Sequence, residues 1–220
     1  MSLKREDLTS DWVRRTFARI KEAGLYEPLS EEERQASLEN MLAQSPKGED
    51  VWLFGYGSLM WNPTVYHEEQ RKGCVYGYHR RYCFWISSGR GSPEMPGLML
   101  ALDRGGSCQG QAFRIKAKMA TEELELVWRR EMISGVYQPR WVTLHSPKGN
   151  IRAITFVVDR THKQFISDLP QEKAALHIAK AEGWLGSCRG YLEETIAHLA
   201  KLGFSDSYLN RLHRLVRCHD

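Results

Sequence analysis

The chain has no paired-cysteine motif, no block of like charge and no long apolar span, and each absence excludes a class of protein. Its five cysteines, Cys74, Cys83, Cys108, Cys188 and Cys218, are odd in number and form no CxxC. That pattern predicts reduced thiols in a cytoplasmic protein, not a disulfide framework. The formal net charge is only +4 and the basic residues are scattered, so no nucleic-acid or membrane partner is expected. No stretch approaches the ~20 apolar residues that cross a bilayer. The first thirty residues hold no apolar run and carry Glu6 and Asp11, so neither a secretory leader nor an organelle transit peptide is expected. Eight histidines occur without HExxH or a paired ligand spacing, and no metal site is expected. Gly55-x-Gly57-x-x-Met60 lacks the third glycine of a dinucleotide fingerprint, and no lysine follows as in a phosphate loop. No cofactor is expected.

What is present is a chain of 220 residues, long enough for one core that removes roughly 70% of its extended surface from water. Its most informative stretch is VWLFGYGSLMWNP, from Val51 to Pro63. Val51 to Phe54 is a short apolar run, the pattern of a strand buried on both faces. Gly55-Tyr56-Gly57-Ser58 then breaks it. Two glycines one residue apart permit close backbone approach. Backbone N–H groups at such a strand tip can hold a carboxylate, or the glycines can serve only to turn the chain.

Upstream, Leu8, Trp12, Val13, Phe17 and Ile20 recur at helical spacing, which predicts an amphipathic helix over 9–23 with Gly24 as its cap. Ser30-Glu31-Glu32-Glu33 reads as a capping box opening a second helix to about 44. A polar linker follows. Residues 1–45 are therefore expected to be a helical extension, and 46–220 the main domain. Strands are expected at 74–87, kinked at Gly77, at 97–103 and 110–115 around Gly105-Gly106, and in a hairpin of 140–145 with 151–158. A helix over 121–134 is expected to start at Thr121 as its cap, with Glu122 and Glu123 in the first turn. Three helices close the chain, over 171–182, 189–202 and 206–217. The fold class is α+β, with a mixed, mostly antiparallel barrel-like sheet flanked by helices. Trp61, Trp85, Trp128, Trp141 and Trp184 are expected in the core, as are the strand thiols Cys83 and Cys108.

The most informative acid is Glu131. Leu124, Val127 and Trp128 form the apolar stripe of the 121–134 helix, and Glu131 continues it at i+7. A carboxyl on that face, near the negative end of the helix dipole, is pushed toward its neutral form. This is what a general acid/base needs. A glutamate paired with Arg80, Arg81 or Arg130 fits the same position.

Taken together, these segments resemble the ChaC family of γ-glutamylcyclotransferases. The matching residues are Leu53-Phe54-Gly55-Tyr56-Gly57-Ser58-Leu59-Met60-Trp61-Asn62-Pro63, then Gly77-Tyr78-His79-Arg80-Arg81, then Gly89-Arg90-Gly91 with Met95-Pro96-Gly97. Arg129-Arg130-Glu131-Met132-Ile133-Ser134-Gly135 and Gly190-Tyr191-Leu192 complete the set. The resemblance implies cleavage of glutathione into 5-oxoproline and cysteinylglycine, without metal or cofactor. It implies Glu131 as the proton carrier. It implies Leu53, Phe54, Gly55, Tyr56, Gly57, Ser58, Leu59 and Tyr191 around the γ-glutamyl head. Leu98 and Cys188 depart from the family pattern, where many members have arginine and asparagine, and both departures concern the cysteinylglycine half. The same fold could instead serve other γ-glutamyl amino acids or amines, or a non-catalytic regulator of cation transport.

Overall fold

The computed structural model describes residues 3–22 and 26–219; Gly24 lies outside the described residues. Helix α1 (Ser10–Glu22) buries Trp12, Val13, Thr16 and Ile20, along the stripe that the spacing predicts. Helix α2 (Glu31–Leu42) opens on the expected capping box. Ser30 Oγ accepts from the Glu33 N–H at 3.1 Å, and the Glu33 carboxylate accepts from the Ser30 N–H at 2.7 Å.

Five strands then close a barrel: β1 (Val51–Gly55), β2 (Glu69–Ile86), β3 (Gly97–Ile115), β4 (Tyr137–His145) and β5 (Ile151–Val158), in the order β1-β3-β2-β4-β5. Its ladders are antiparallel except those of β5 with β1 and β3. This is the α+β, mostly antiparallel barrel expected. β1 is buried at all five positions because each of its faces meets a different cluster. Val51 and Leu53 pack with Leu38 of α2 and with Leu124 and Trp128. Trp52 and Phe54 pack with the barrel interior and the C-terminal helices.

Five expectations are corrected. Residues 97–103 and 110–115 belong to one strand, β3. Gly77 (φ +85) faces Gly105 (φ +98) and Gly106 (φ +68) where the register shifts between the pairs Tyr76–Ser107 and Tyr78–Arg104. The glycines adopt the left-handed conformations of a bulge, so both strands bend together and pairing resumes beyond it. Next, helix α3 (Ala120–Glu131) starts before Thr121, following a 3₁₀ turn at Ala117–Met119. Thr121 is an exposed residue of the first turn, not the cap; Asp50 holds the 3₁₀ turn by accepting the Ala117 N–H at 3.0 Å. The helix also ends at Glu131, not 134, because Gly135 (φ +70) turns the chain into β4.

Helices α4 (Gln171–Lys180), α5 (Cys188–Lys201) and α6 (Ser207–Arg217) pack beside the barrel. A small hairpin, β6 (Glu182–Gly183) with β7 (Gly186–Ser187), joins α4 to α5 and truncates the expected 171–182 helix. Trp184, the fifth correction, sits in this hairpin turn and not in the core. It is 37% exposed, and the Arg19 guanidinium lies 4.6 Å from its ring centroid. That contact pins the end of α1 to the hairpin. All five cysteines are unpaired, with Cys83 and Cys108 in the core.

Candidate active site

The chain leaves β1 at Gly55 and passes through Tyr56 and Gly57 into a 3₁₀ turn, Ser58–Met60. Arg80 of β2, 3% exposed, holds this turn from behind. Its Nε donates to the Tyr56 carbonyl at 2.7 Å, its Nη1 to Asp206 Oδ2 at 3.2 Å, and its Nη2 to the Gln109 carbonyl. A buried guanidinium whose donors are met by three partners fixes the turn against β3 and the start of α6. Gly57 is required by a close approach: a Cβ there would stand 2.5 Å from the Tyr191 hydroxyl. The same hydroxyl accepts from the Ser58 N–H at 3.4 Å.

Glu131 ends α3 beside this turn. Arg130 Nε lies 3.1 Å from Glu131 Oε1. Its Nη2 donates to Ser58 Oγ at 2.6 Å and its Nη1 to the Asn62 carbonyl at 2.7 Å. Of the three arginines expected as possible partners, Arg130 is the one that meets Glu131; Arg80 and Arg81 pair with Asp206 and Asp103. Burial pushes the Glu131 carboxyl above its ordinary value, and the Arg130 charge opposes that shift without reversing it. A glutamate can therefore have an ion-pair partner and still be held toward its neutral form. The phenols of Tyr56, Tyr137 and Tyr191 are also pushed up, first by burial and further by the Glu131 charge. They stay protonated at neutral pH and remain hydrogen-bond donors; Tyr137 donates to the Leu100 carbonyl at 3.0 Å.

A cavity of about 200 Å³ opens among these groups. Tyr56, Gly57, Ser58, Leu59, Glu131 and Tyr191 line it, together with Arg90, Arg130 and Tyr137. Residues Trp12, Thr16 and Ile20 of α1 also contribute to its wall. Tyr191 enters from α5, which Ser187 caps by accepting the Gly190 N–H at 3.0 Å. The Arg90 guanidinium lies 5.0 Å from the Tyr191 ring centroid.

The sequence model of a family described as ChaC-like protein matches residues 51–219. The chain belongs to the ChaC-like family. A relative from Escherichia coli strain K12, named glutathione-specific gamma-glutamylcyclotransferase, is 40% identical over 211 residues, covering 96% of this chain and 90% of its own. A mouse relative named glutathione-specific gamma-glutamylcyclotransferase 1 is 31% identical over 157 residues, 69% of this chain and 67% of its own. A crystal structure of a yeast gamma-glutamyl cyclotransferase specific to glutathione superposes with a TM-score of 0.70 at 20% identity, covering 76% of this chain and 96% of that one. That likeness shows a shared fold.

Within this ChaC-like fold the expected site residues separate into two groups. Tyr56, Gly57, Ser58, Leu59, Glu131 and Tyr191 meet at one cavity. Leu53 and Phe54 are fully buried in β1 behind it. Gly55 packs its backbone against the 3₁₀ turn, where a Cβ would come within 2.8 Å of the Leu59 carbonyl carbon. These three residues position the turn and do not line the cavity. Sequence reasoning missed Tyr137 and the clamp that Arg130 places on the 58–62 turn; neither carries a periodic or spacing signal. Leu98 and Cys188 are buried against each other: Cys188 Sγ donates to the Leu98 carbonyl at 3.4 Å and lies 3.1 Å from the Arg90 carbonyl.

Proposed function

We propose that this protein cleaves the γ-glutamyl amide of glutathione by intramolecular cyclisation, releasing 5-oxoproline and cysteinylglycine in the cytoplasm. Residues 46–220 form the cyclotransferase unit and residues 1–45 an extension that helps to wall its pocket. The observation that carries this reading is the desolvated Glu131 carboxyl in the cavity formed by the Gly57–Leu59 turn and Tyr191. The family membership and the names of the relatives agree with it.

The chemistry needs no nucleophilic side chain. The substrate's own α-amine attacks its γ-carbonyl carbon, forming the ring C–N bond, and the amide C–N bond to cysteine then breaks. The amine is mostly ammonium at neutral pH and must first lose a proton. The leaving amine must gain one. The Glu131 carboxylate accepts the first proton and returns one to the leaving nitrogen, a contribution of ~10²–10⁴-fold. The floppy glutamyl chain must be folded so that amine and carbonyl meet, and such positioning supplies several kcal/mol. The Gly57–Leu59 backbone grips the α-carboxylate for that purpose. The protonated phenols of Tyr56 and Tyr191 beside Glu131 can donate to the oxyanion that forms on the γ-carbonyl, whereas the Tyr137 hydroxyl is spent on the Leu100 carbonyl.

The test is to incubate the pure protein with glutathione, and separately with γ-glutamyl-alanine, and to measure 5-oxoproline. Release from glutathione at the higher kcat/KM is expected. Faster turnover of γ-glutamyl-alanine would assign the site to other γ-glutamyl compounds, and no release from either would defeat the proposal.

A further inference from the structure

Arg90 lines the cavity that holds Glu131, and its guanidinium carbon lies 5.0 Å from the ring centroid of Tyr191. That ring presents its face to Arg90 and its hydroxyl to the Ser58 N–H. Among the described residues the guanidinium makes one hydrogen bond, from Nη1 to the Ser187 carbonyl at 3.0 Å, and no ion pair. Its Nε and Nη2 are left without a protein partner, and neither is sealed from solvent. The other cation of the wall, Arg130, is spent on Glu131, Ser58 and Asn62. Glu194, an acid of the same wall, is exposed and forms no ion pair with Arg90. The backbone around Arg90 is held on both sides. The Gly89 carbonyl accepts the Leu185 N–H at 2.8 Å, and Cys188 Sγ lies 3.1 Å from the Arg90 carbonyl. A cation fixed at a cavity wall, with two donors open and no counter-charge, is arranged to meet an anionic oxygen.

We propose that Arg90 is a specificity-determining residue that binds the terminal carboxylate of the cysteinylglycine half of the substrate. This rests on the proposed function. A γ-glutamyl tripeptide carries two carboxylates. The one beside the α-amine is assigned to the Gly57–Leu59 backbone, and the amine itself to Glu131. The terminal carboxylate is left over, and Arg90 is the wall cation left to receive it. Tyr191 joins the two halves, with its hydroxyl on the turn that takes the head and its ring face under the guanidinium. Nε and Nη2 form one planar fork of the guanidinium, which matches a carboxylate with two parallel N–H bonds. A substrate without that carboxylate leaves the fork unmatched in a cavity where charges are weakly screened, and so binds less well.

The probes are glutathione and its C-terminal amide, which differ only in the terminal carboxylate. The parent protein is expected to show a KM about tenfold or more higher for the amide. Equal KM values overturn the proposal without any variant. Arg90→Met keeps the aliphatic reach and removes the charge. It is expected to raise KM for glutathione about tenfold or more with kcat within about threefold, and to leave KM for the amide within about twofold. An unchanged KM for glutathione in the folded variant overturns the proposal. An equal rise for both compounds also overturns it. That is the signature of a structural role, or of a contact to the carboxylate beside the α-amine, which both compounds carry. If Arg90→Met does not fold, Arg90→Lys carries the test, since it keeps the charge and loses the fork. Its preference for glutathione over the amide should shrink about threefold or more, and an unchanged preference overturns the proposal. Calorimetric binding of both compounds to Glu131→Gln and to Glu131→Gln/Arg90→Met gives a readout independent of turnover. The single variant is expected to bind glutathione about tenfold or more tighter than the amide, and the double variant to bind the two alike. No preference in the single variant overturns the proposal, as does a preference that survives in the double variant. If Glu131→Gln shows this preference, the double variant loses it and the parent releases no 5-oxoproline, the proposed function fails and the Arg90 contact stands. If neither the parent nor Glu131→Gln binds glutathione, both fall.

Discussion

On the proposed function, two residues test the chemistry most directly, Glu131 and Gly57, and both can be changed without reshaping the core. Glu131→Gln keeps size and hydrogen bonding but cannot carry a proton. It should bind glutathione nearly as well as the parent and lower kcat by at least ~10²-fold, about 2.7 kcal/mol of barrier. Near-normal turnover would reduce Glu131 to a partner of Arg130. The pH dependence has a definite sign. The native carboxyl is raised above its ordinary 4.5, so the folded state keeps this proton over a range where the unfolded chain has lost it. Stability from this site is therefore greatest below about 4.5 and declines as pH rises to the folded value. Thermal melts across pH should show Glu131→Gln gaining on the parent through that window, and a constant difference would mean that the carboxyl is not desolvated. The acid limb of kcat/KM should likewise fall above 4.5. Gly57→Ala inserts a methyl where the Tyr191 hydroxyl lies, 2.5 Å away. That hydroxyl must move off the Ser58 N–H. A KM increase of about tenfold or more with the melting temperature nearly held is expected; a large loss of melting temperature at unchanged KM would make the glycine structural only.

At the scale of elements, legibility in the sequence followed locality. The capping box at Ser30 and Glu33, the two-faced burial of β1 and the apolar stripes of α1 and α3 are written within a few residues and were all readable. The continuity of β3 was not, because it depends on Gly77 of another strand taking up the bulge opposite Gly105 and Gly106. Thr121 had cap chemistry, but the 3₁₀ turn before it moved the helix start. Glu123 looked like a dipole-stabilising residue of a first turn and is instead fully buried, paired with Arg5 from far up the chain. Of the candidate site, the turn and Glu131 were legible, whereas Tyr137 and Trp12 join the cavity only through tertiary packing. Asp206 tests such a long-range link. Its Oδ1 caps α6 by accepting the Leu209 N–H at 3.1 Å, while its Oδ2 holds Arg80 behind the Tyr56 turn. Asp206→Ala should destabilise the fold by ~2 kcal/mol, a lost cap together with a loosened buried arginine, and should slow turnover as the turn relaxes. Asp206→Asn retains the cap and should lose about half as much. Equal losses in denaturant melts would mean that the cap contributes nothing.

At the scale of the whole molecule, the extension is separate in sequence yet continuous in packing with the barrel. Leu38 and Met41 of α2 share a cluster with Leu124, Val127 and Trp128 of α3. The Arg5 guanidinium makes two contacts to the Glu123 carboxylate, one of them at 3.0 Å, and also donates to the Thr64 carbonyl at 3.0 Å. Glu123 in turn accepts the Tyr66 N–H at 2.9 Å. Its side chain has no exposed surface, whereas that of Arg5 is 26% exposed. The asymmetry decides what each substitution does. Removing Arg5 strands a carboxylate that water cannot reach, the change that typically costs ~3–5 kcal/mol in a fully buried pair. Partial exposure of the arginine means that its removal lets some solvent in, so Arg5→Met should cost about 2 kcal/mol. Removing the charge from the buried side as well should restore most of that loss, because a neutral amide no longer needs the cation. Arg5→Met/Glu123→Gln should therefore be more stable than Arg5→Met alone, with a coupling energy of ~1–2 kcal/mol in a double-mutant cycle read by denaturant melts. Such coupling would make residues 1–45 part of one cooperative unit with the barrel, and the cavity wall built by α1 as rigid as the strands it faces. Additive single effects would instead leave the N-terminal segment energetically independent, a loosely attached cover over a site that the barrel completes alone.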